Sequence, residues 1–94
     1  MVIVERYRNV YNKKFLKDLA DIPQKERISI EKFVFETLVN CKSLNDTNKI
    51  EKLRGHENYY KVRFGNYRAG IRIEKDTVIL ERILHRKEIY RYFP

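Results

Sequence analysis

The stretch YYKVRFGNYRAGIRIE, Tyr59 to Glu74, leaves this chain less freedom than any other. Apolar and polar residues alternate on both sides of Gly65-Asn66, a dipeptide that takes the positive φ angles a two-residue hairpin turn demands. Strand side chains point alternately to opposite faces. Tyr60, Val62 and Phe64 therefore share one face, with Tyr59, Lys61 and Arg63 on the other. With Gly65-Asn66 as the loop, Phe64 pairs with Tyr67, Arg63 lies directly opposite Arg68, and Gly70 lies opposite Lys61. The returning strand sends Tyr67, Ala69, Ile71 and Ile73 one way, and Arg68, Gly70, Arg72 and Glu74 the other.

The remaining elements follow from periodicity. VIVERY, with its β-branched start, reads as a short strand. Tyr11, Phe15, Leu16 and Leu19 recur at helical spacing and predict an amphipathic helix over 10–20. Pro23 suits the first turn of a second helix, where its missing N–H is no loss. That helix is expected to reach about Asn40, with Ile28, Ile30, Phe33, Val34, Phe35, Leu38 and Val39 as its apolar stripe. A polar loop, KSLNDTN, precedes a short strand in KIEKLRG. Lys75-Asp76 marks a further turn. TVILERIL, apolar nearly throughout, reads as a central strand covered on both faces, and HRKEIYRYFP as a short helix or ordered tail. The order β-α-α-β-β-β-β predicts an α+β fold: a mostly antiparallel sheet of four to five strands with an N-terminal helical hairpin on one face.

At 94 residues, residues 1–94 are expected to form a single domain that buries roughly 60–65% of its extended surface. Apolar residues make up 43% of the chain, among them seven Tyr and five Phe, enough for a modest core. The lone Cys41 excludes an internal disulfide, and no Cys/His cluster has metal-ligand spacing. A reducing, cytoplasmic location without metal or cofactor is therefore expected. The first residues carry charge where a signal peptide would be apolar, and no run approaches a membrane span. The net charge of +8 attracts a polyanion: nucleic acid, an acidic protein or an anionic surface.

Like charges directly opposite on a sheet face destabilise it by a few tenths to about 1 kcal/mol. A chain that keeps Arg63 against Arg68 is expected to bind an anion there, phosphate above all, whose geometry the guanidinium fork matches. Gly70 is expected to leave a gap through which a ligand backbone approaches closely. The alternative is a solvated face decorated with cations, as soluble antiparallel sheets commonly have.

KLRG at Lys52 to Gly55, YYKVRFGNYRAGIRI at Tyr59 to Ile73, and HRKEIYR at His85 to Arg91 together resemble the signature of the RelE/ParE toxin superfamily. The resemblance spans the chain in element order and is most specific in its second half. It implies a RelE-like fold and a toxin of a type II toxin–antitoxin pair. RelE-like members cut mRNA in the ribosomal A site, while ParE-like members poison gyrase without a nuclease site. By motif position, Lys61, Arg63 and Arg68 would be the phosphate-binding cations of the hairpin, and Arg86 and Tyr90 the C-terminal pair. Tyr92 fits the longer spacing of some members; Tyr90 is preferred because, four residues after Arg86, it shares a helical face with it. Lys52, Arg54 and Arg72 would touch the RNA strand. Partners would be an acidic antitoxin that wraps the toxin, and mRNA with ribosomal RNA in the 30S A site, with no membrane.

The implied chemistry is metal-independent attack of a ribose 2′-hydroxyl on the adjacent phosphate, leaving a cyclic phosphate. It needs a base, charge stabilisation and an acid. Arg68 is the candidate stabiliser, with Lys61 and Arg63 positioning the strand, and Tyr90, His85 and Lys61 are the candidates for proton transfer. His85 has the side chain best matched to neutral pH, while His56 is expected merely to be exposed. A gyrase inhibitor without nuclease activity and a plain nucleic-acid-binding module are the competing readings.

Overall fold

The computed structural model describes residues 7–41 and 49–94. Most of the VIVERY segment and the KSLNDTN loop therefore lie outside the described residues. The first described strand, β1, is Arg8–Tyr11, so Val10 and Tyr11 belong to a strand and the helix begins later, as α1 at Lys13–Ala20. Asn12 holds the joint in extended backbone, and its carbonyl accepts the first helical bond, from the Leu16 N–H at 3.1 Å. Phe15 and Leu19 face the core.

Pro23 stands at the N-cap of α2, Gln24–Lys32, one place earlier than expected, where its carbonyl accepts from Glu26 and Arg27. The helix does not run evenly to Asn40. At Phe33–Thr37 it widens into a π-helical turn, closed by the Leu38 N–H on the Phe33 carbonyl at 2.8 Å. The expected stripe is narrower than its apolar residues: Ile30, Phe33, Val34 and Leu38, at helical spacing, are buried, but Ile28 and Phe35 are 59% and 40% exposed. Tyr11 closes over this turn by donating to the Val34 carbonyl at 2.7 Å and packing its ring on Phe35.

Four more strands follow: β2 Ile50–Lys52, β3 Tyr59–Phe64, β4 Tyr67–Glu74 and β5 Thr77–His85. The five-stranded sheet has the order β1-β5-β4-β3-β2 and is antiparallel except for the parallel β1–β5 pair. The hairpin register is the expected one: Phe64 with Tyr67, Arg63 with Arg68, Lys61 with Gly70. Of the two central residues of the turn only Gly65 has positive φ, +58°, which puts the glycine at the first central position as a type II′ turn requires.

One face of the sheet carries the core. Val62, Ala69, Ile71, Val78, Leu80 and Ile83 meet Phe15, Leu19, Ile30 and Leu38 of the helices. Strand β5 is hydrogen-bonded along both edges, yet only one of its faces is deeply buried, so the expectation of cover on both is corrected. A bulge explains why its sequence looked uniformly apolar. Gly70 pairs with Arg82 and Ile71 with Leu80, leaving Glu81 as the extra residue. The alternation therefore shifts by one, and both Leu80 and Ile83 reach the core.

The chain closes with α3, Ile89–Tyr92, against β4 and β5, anchored by buried Ile89 and Phe93. No described helix is long and apolar enough to cross a membrane.

Candidate nucleic-acid site on the open face

The face turned away from the helical hairpin is organised by one row of paired positions: Glu51 on β2, Lys61 on β3, Gly70 on β4 and Arg82 on β5. With strands about 4.8 Å apart, the row spans roughly 14 Å. The C-terminal segment lies across it. A Cβ on Gly70 would meet the Phe93 ring at 2.4 Å, so the space that a glycine opens here is filled by the chain's own Phe93. The expected gap for a ligand backbone is thus corrected: the glycine admits the tail, and Phe93 also packs edge-on against Tyr59.

Docking of the tail brings Tyr90 to Lys61. The ammonium donates to the phenolic oxygen at 3.1 Å and lies 5.7 Å from the ring centre. Tyr90 remains 55% exposed, its own O–H available to a ligand. On the other side of Lys61 stands Glu51, with a carboxylate oxygen 3.9 Å from Lys61 Nζ and the other 3.5 Å from Arg63 Nε. Sequence reasoning missed Glu51. The available signal was strand alternation in KIEKLRG, which sets Ile50 inward and Glu51 outward, but only the β2–β3 register shows that it faces Lys61.

The opposed arginines part company within the chain. Arg63 leans to Glu51, whereas Arg68 folds back and donates to the carbonyls of Gly65 at 2.6 Å and Tyr67 at 2.9 Å. Their repulsion is relieved without an anion, so charge opposition alone does not require one. Arg86 is exposed, its N–H bonded to the Asn66 carbonyl at 2.8 Å, which sets it beside the same turn. It precedes α3, so no shared helical face links it to Tyr90. Contact with Lys61 distinguishes Tyr90 from Tyr92 instead.

Other expected residues lie elsewhere. His85 pairs with Tyr67 on the helix-bearing face, their rings 5.8 Å apart, in a cleft shared with Glu26 and Ser29. Its Nδ1 accepts the Lys87 N–H at 3.2 Å. Lys52 shares the face of its partner Tyr60, opposite to that of Lys61, and Arg54 sits exposed in the following turn. Arg72 is on the open face but is held by Glu81 at 2.8 Å and by Glu74. The hydrogen bond it donates to Glu81 is the main reason its pKa rises further above the ordinary arginine range. His56 is exposed, with its ring edge-on to Tyr59. Among the described residues no group of His, Cys, Asp or Glu is set to hold a metal.

Residues 10–90 match the family model described as the ParE toxin of the type II toxin–antitoxin system parDE. The chain belongs to the RelE/ParE toxin family. Within it the toxin is similar to Toxin RelE3 of Methanocaldococcus jannaschii, at 48% identity over 86 residues that cover 90% of this chain and 97% of the relative. Its fold matches the toxin of a RelB–RelE antitoxin–toxin complex from Methanococcus jannaschii, with TM-score 0.75 and 45% identity over 90% of this chain and 99% of that one. A chain of the RelBE2 toxin–antitoxin complex of Mycobacterium tuberculosis matches with TM-score 0.67 and 25% identity, over 86% of this chain and 99% of that one. The toxin is thus a type II toxin of the RelE type.

Proposed function

We propose that this toxin cleaves mRNA engaged on the ribosome, by 2′-hydroxyl attack on the neighbouring phosphate and without a metal ion. The observation that carries the reading is the Glu51–Lys61–Tyr90 cluster, which sets a carboxylate, an ammonium and a phenol side by side on an exposed cationic face. Each supplies one requirement of the reaction. The Glu51 carboxylate accepts the 2′-hydroxyl proton. The Lys61 ammonium and the Arg63 guanidinium stabilise charge that develops on the phosphorane. Tyr90, whose oxygen already accepts from Lys61, keeps its own proton to give to the departing 5′ oxygen.

Arg68 and Arg86 flank the hairpin turn and extend the cationic surface along the strand. Arg68 takes part by exchanging its carbonyl bonds at Gly65 and Tyr67 for phosphate oxygens. Lys52 and Arg54 reach ribosomal RNA from the β2 edge. The natural inhibitor is an antitoxin of the RelB type, whose acidic segment complements the +8 charge.

Primer extension on a defined mRNA in a reconstituted translation reaction tests the reading. Wild-type toxin is expected to cut within A-site codons, while Tyr90→Phe and Lys61→Ala each slow cutting by roughly 10²- to 10⁴-fold, the range for a lost proton donor or charge stabiliser. Intact mRNA alongside inhibited gyrase supercoiling would instead assign the toxin to the gyrase-directed branch of its family.

A further inference from the structure

The proposed acid, Tyr90, sits on a helix of four residues, too short to hold its own place. Its position must come from what the tail touches. Two anchors are buried Ile89 and Phe93 over Gly70. A third is a chain of contacts that starts on the far side of the molecule. Asp18, on α1, lies at the β5 edge just beyond the end of β1, where its Oδ2 accepts the unpaired Ile83 N–H at 3.2 Å. The same carboxylate takes both arms of the Arg82 fork, from Nε at 2.7 Å and from an Nη at 3.1 Å. Both side chains are largely buried, and the hydrogen bond to Asp18 is the main reason the guanidinium's pKa rises further above its ordinary range. The Arg82 guanidinium, fixed in this way, has its Cζ over the Tyr92 ring, 5.1 Å from the ring centre, a cation–π distance.

Arg82 faces the tail only because of the Glu81 bulge; unbroken alternation would turn it to the face of Val78 and Leu80. We infer that Asp18, Arg82 and Tyr92 form a positioning relay that docks the C-terminal segment and thereby holds Tyr90 against Lys61. None of the three touches the reacting atoms. Arg82 acts through the Tyr92 ring, and Asp18 acts by fixing the plane of Arg82. A lysine at position 82 keeps the charge but has neither the fork for Asp18 nor the plane for Tyr92. The inference rests on the proposed role of Tyr90 for its effect on the reaction, and on geometry alone for the docking.

Two readouts separate these. The first is the nuclear Overhauser contact between the Tyr90 ring and the Lys61 side chain in the RNA-free toxin, together with hydrogen exchange at the Phe93 amide, which bonds the Ile89 carbonyl. Tyr92→Leu and Arg82→Lys are expected to lose the Tyr90–Lys61 contact and speed that exchange at least tenfold, with the core amides of β3 to β5 unchanged; Tyr92→Phe, which keeps the ring, retains both. The second is ribosomal cleavage. Tyr92→Leu and Arg82→Lys are expected to lower kcat by roughly ten- to a hundredfold, the cost of a misplaced group, with KM little changed, and Tyr92→Phe to stay near wild type. A retained Tyr90–Lys61 contact in both Tyr92→Leu and Arg82→Lys overturns the relay, whatever the activity. Loss of activity in Tyr92→Phe with docking intact also overturns it, by making the Tyr92 hydroxyl a reacting group. An inactive wild-type toxin whose variants still undock leaves the relay standing and removes the nuclease reading.

Discussion

Gly70 shows how much one side chain's absence decides on this face. It is the member of the Glu51–Lys61–Gly70–Arg82 row that has no side chain, and Phe93 occupies the space directly above it. Gly70→Ala sets a Cβ 2.4 Å from the Phe93 ring, closer than any relaxed contact. The ring must move, and overpacking of this kind costs about 1–3 kcal/mol. Urea denaturation is expected to show that loss, with hydrogen exchange locating it in the tail rather than the helical core. Unchanged stability would mean that Phe93 is held far less tightly than its 2% exposure implies. The register of Gly70 against Lys61 was legible in the alternation around Gly65-Asn66. Its occupant was not, since strand pattern says nothing about where a tail folds back.

At the scale of elements, two irregularities do what regular periodicity does not. The Glu81 bulge turns Arg82 outward and Ile83 inward, and the π-helical turn at Phe33–Thr37 offers the Val34 carbonyl and the Phe35 ring to Tyr11. Neither follows from composition, because TVILERIL and FVFET can each be read in a regular register and only packing in the folded chain selects the irregular one. Tyr11 ties β1 to the π-helical turn, and its burial raises the phenol pKa above the ordinary 10.0. Burial does the same for Tyr7, with the charges of Cys41 and Tyr60 adding to it. The folded state thus holds these protons more tightly than the unfolded chain. Their contribution is complete below the ordinary phenol pKa and is lost as pH rises through the raised one. Tyr11→Phe is expected to cost about 1 kcal/mol at neutral pH, the net worth of a hydrogen bond, and to make the alkaline loss of stability shallower. Urea midpoints at about pH 7 and about pH 11 check both; parallel midpoints for wild type and variant would show that the phenol of Tyr11 does not drive the alkaline slope.

Across the whole molecule, the charge of +8 is unevenly committed. Arg72 and Arg82 are held by carboxylates of this chain through short hydrogen bonds, whereas Arg63 has only the longer 3.5 Å contact to Glu51 with 58% of its side chain exposed, and Arg86 is exposed at the hairpin end. Affinity for single-stranded RNA is therefore expected to fall with salt at a slope near −0.7 per phosphate contacted. Arg63→Ala should lower that slope by about 0.7, and Arg72→Ala should leave it almost unchanged. Fluorescence anisotropy of a labelled RNA from low to physiological salt measures the slopes, and equal changes for the two arginines would show that the Glu74 and Glu81 pairing of Arg72 opens on binding.

The sequence by itself determined the local and the periodic: the hairpin and its turn, the register that sets Arg63 against Arg68, the α+β order of elements and the polyanion-seeking charge. These depend on neighbours a few residues apart, where backbone sterics and side-chain alternation leave few options. Only the tertiary structure decided which cations meet which partners. Glu51 reached Lys61 across strands, Tyr90 came to Lys61 because Phe93 and Tyr92 docked, and His85 was turned to the helix-bearing face. Such contacts join residues far apart in the chain, and they form only where packing of the whole core makes closing the intervening loop worth its lost entropy.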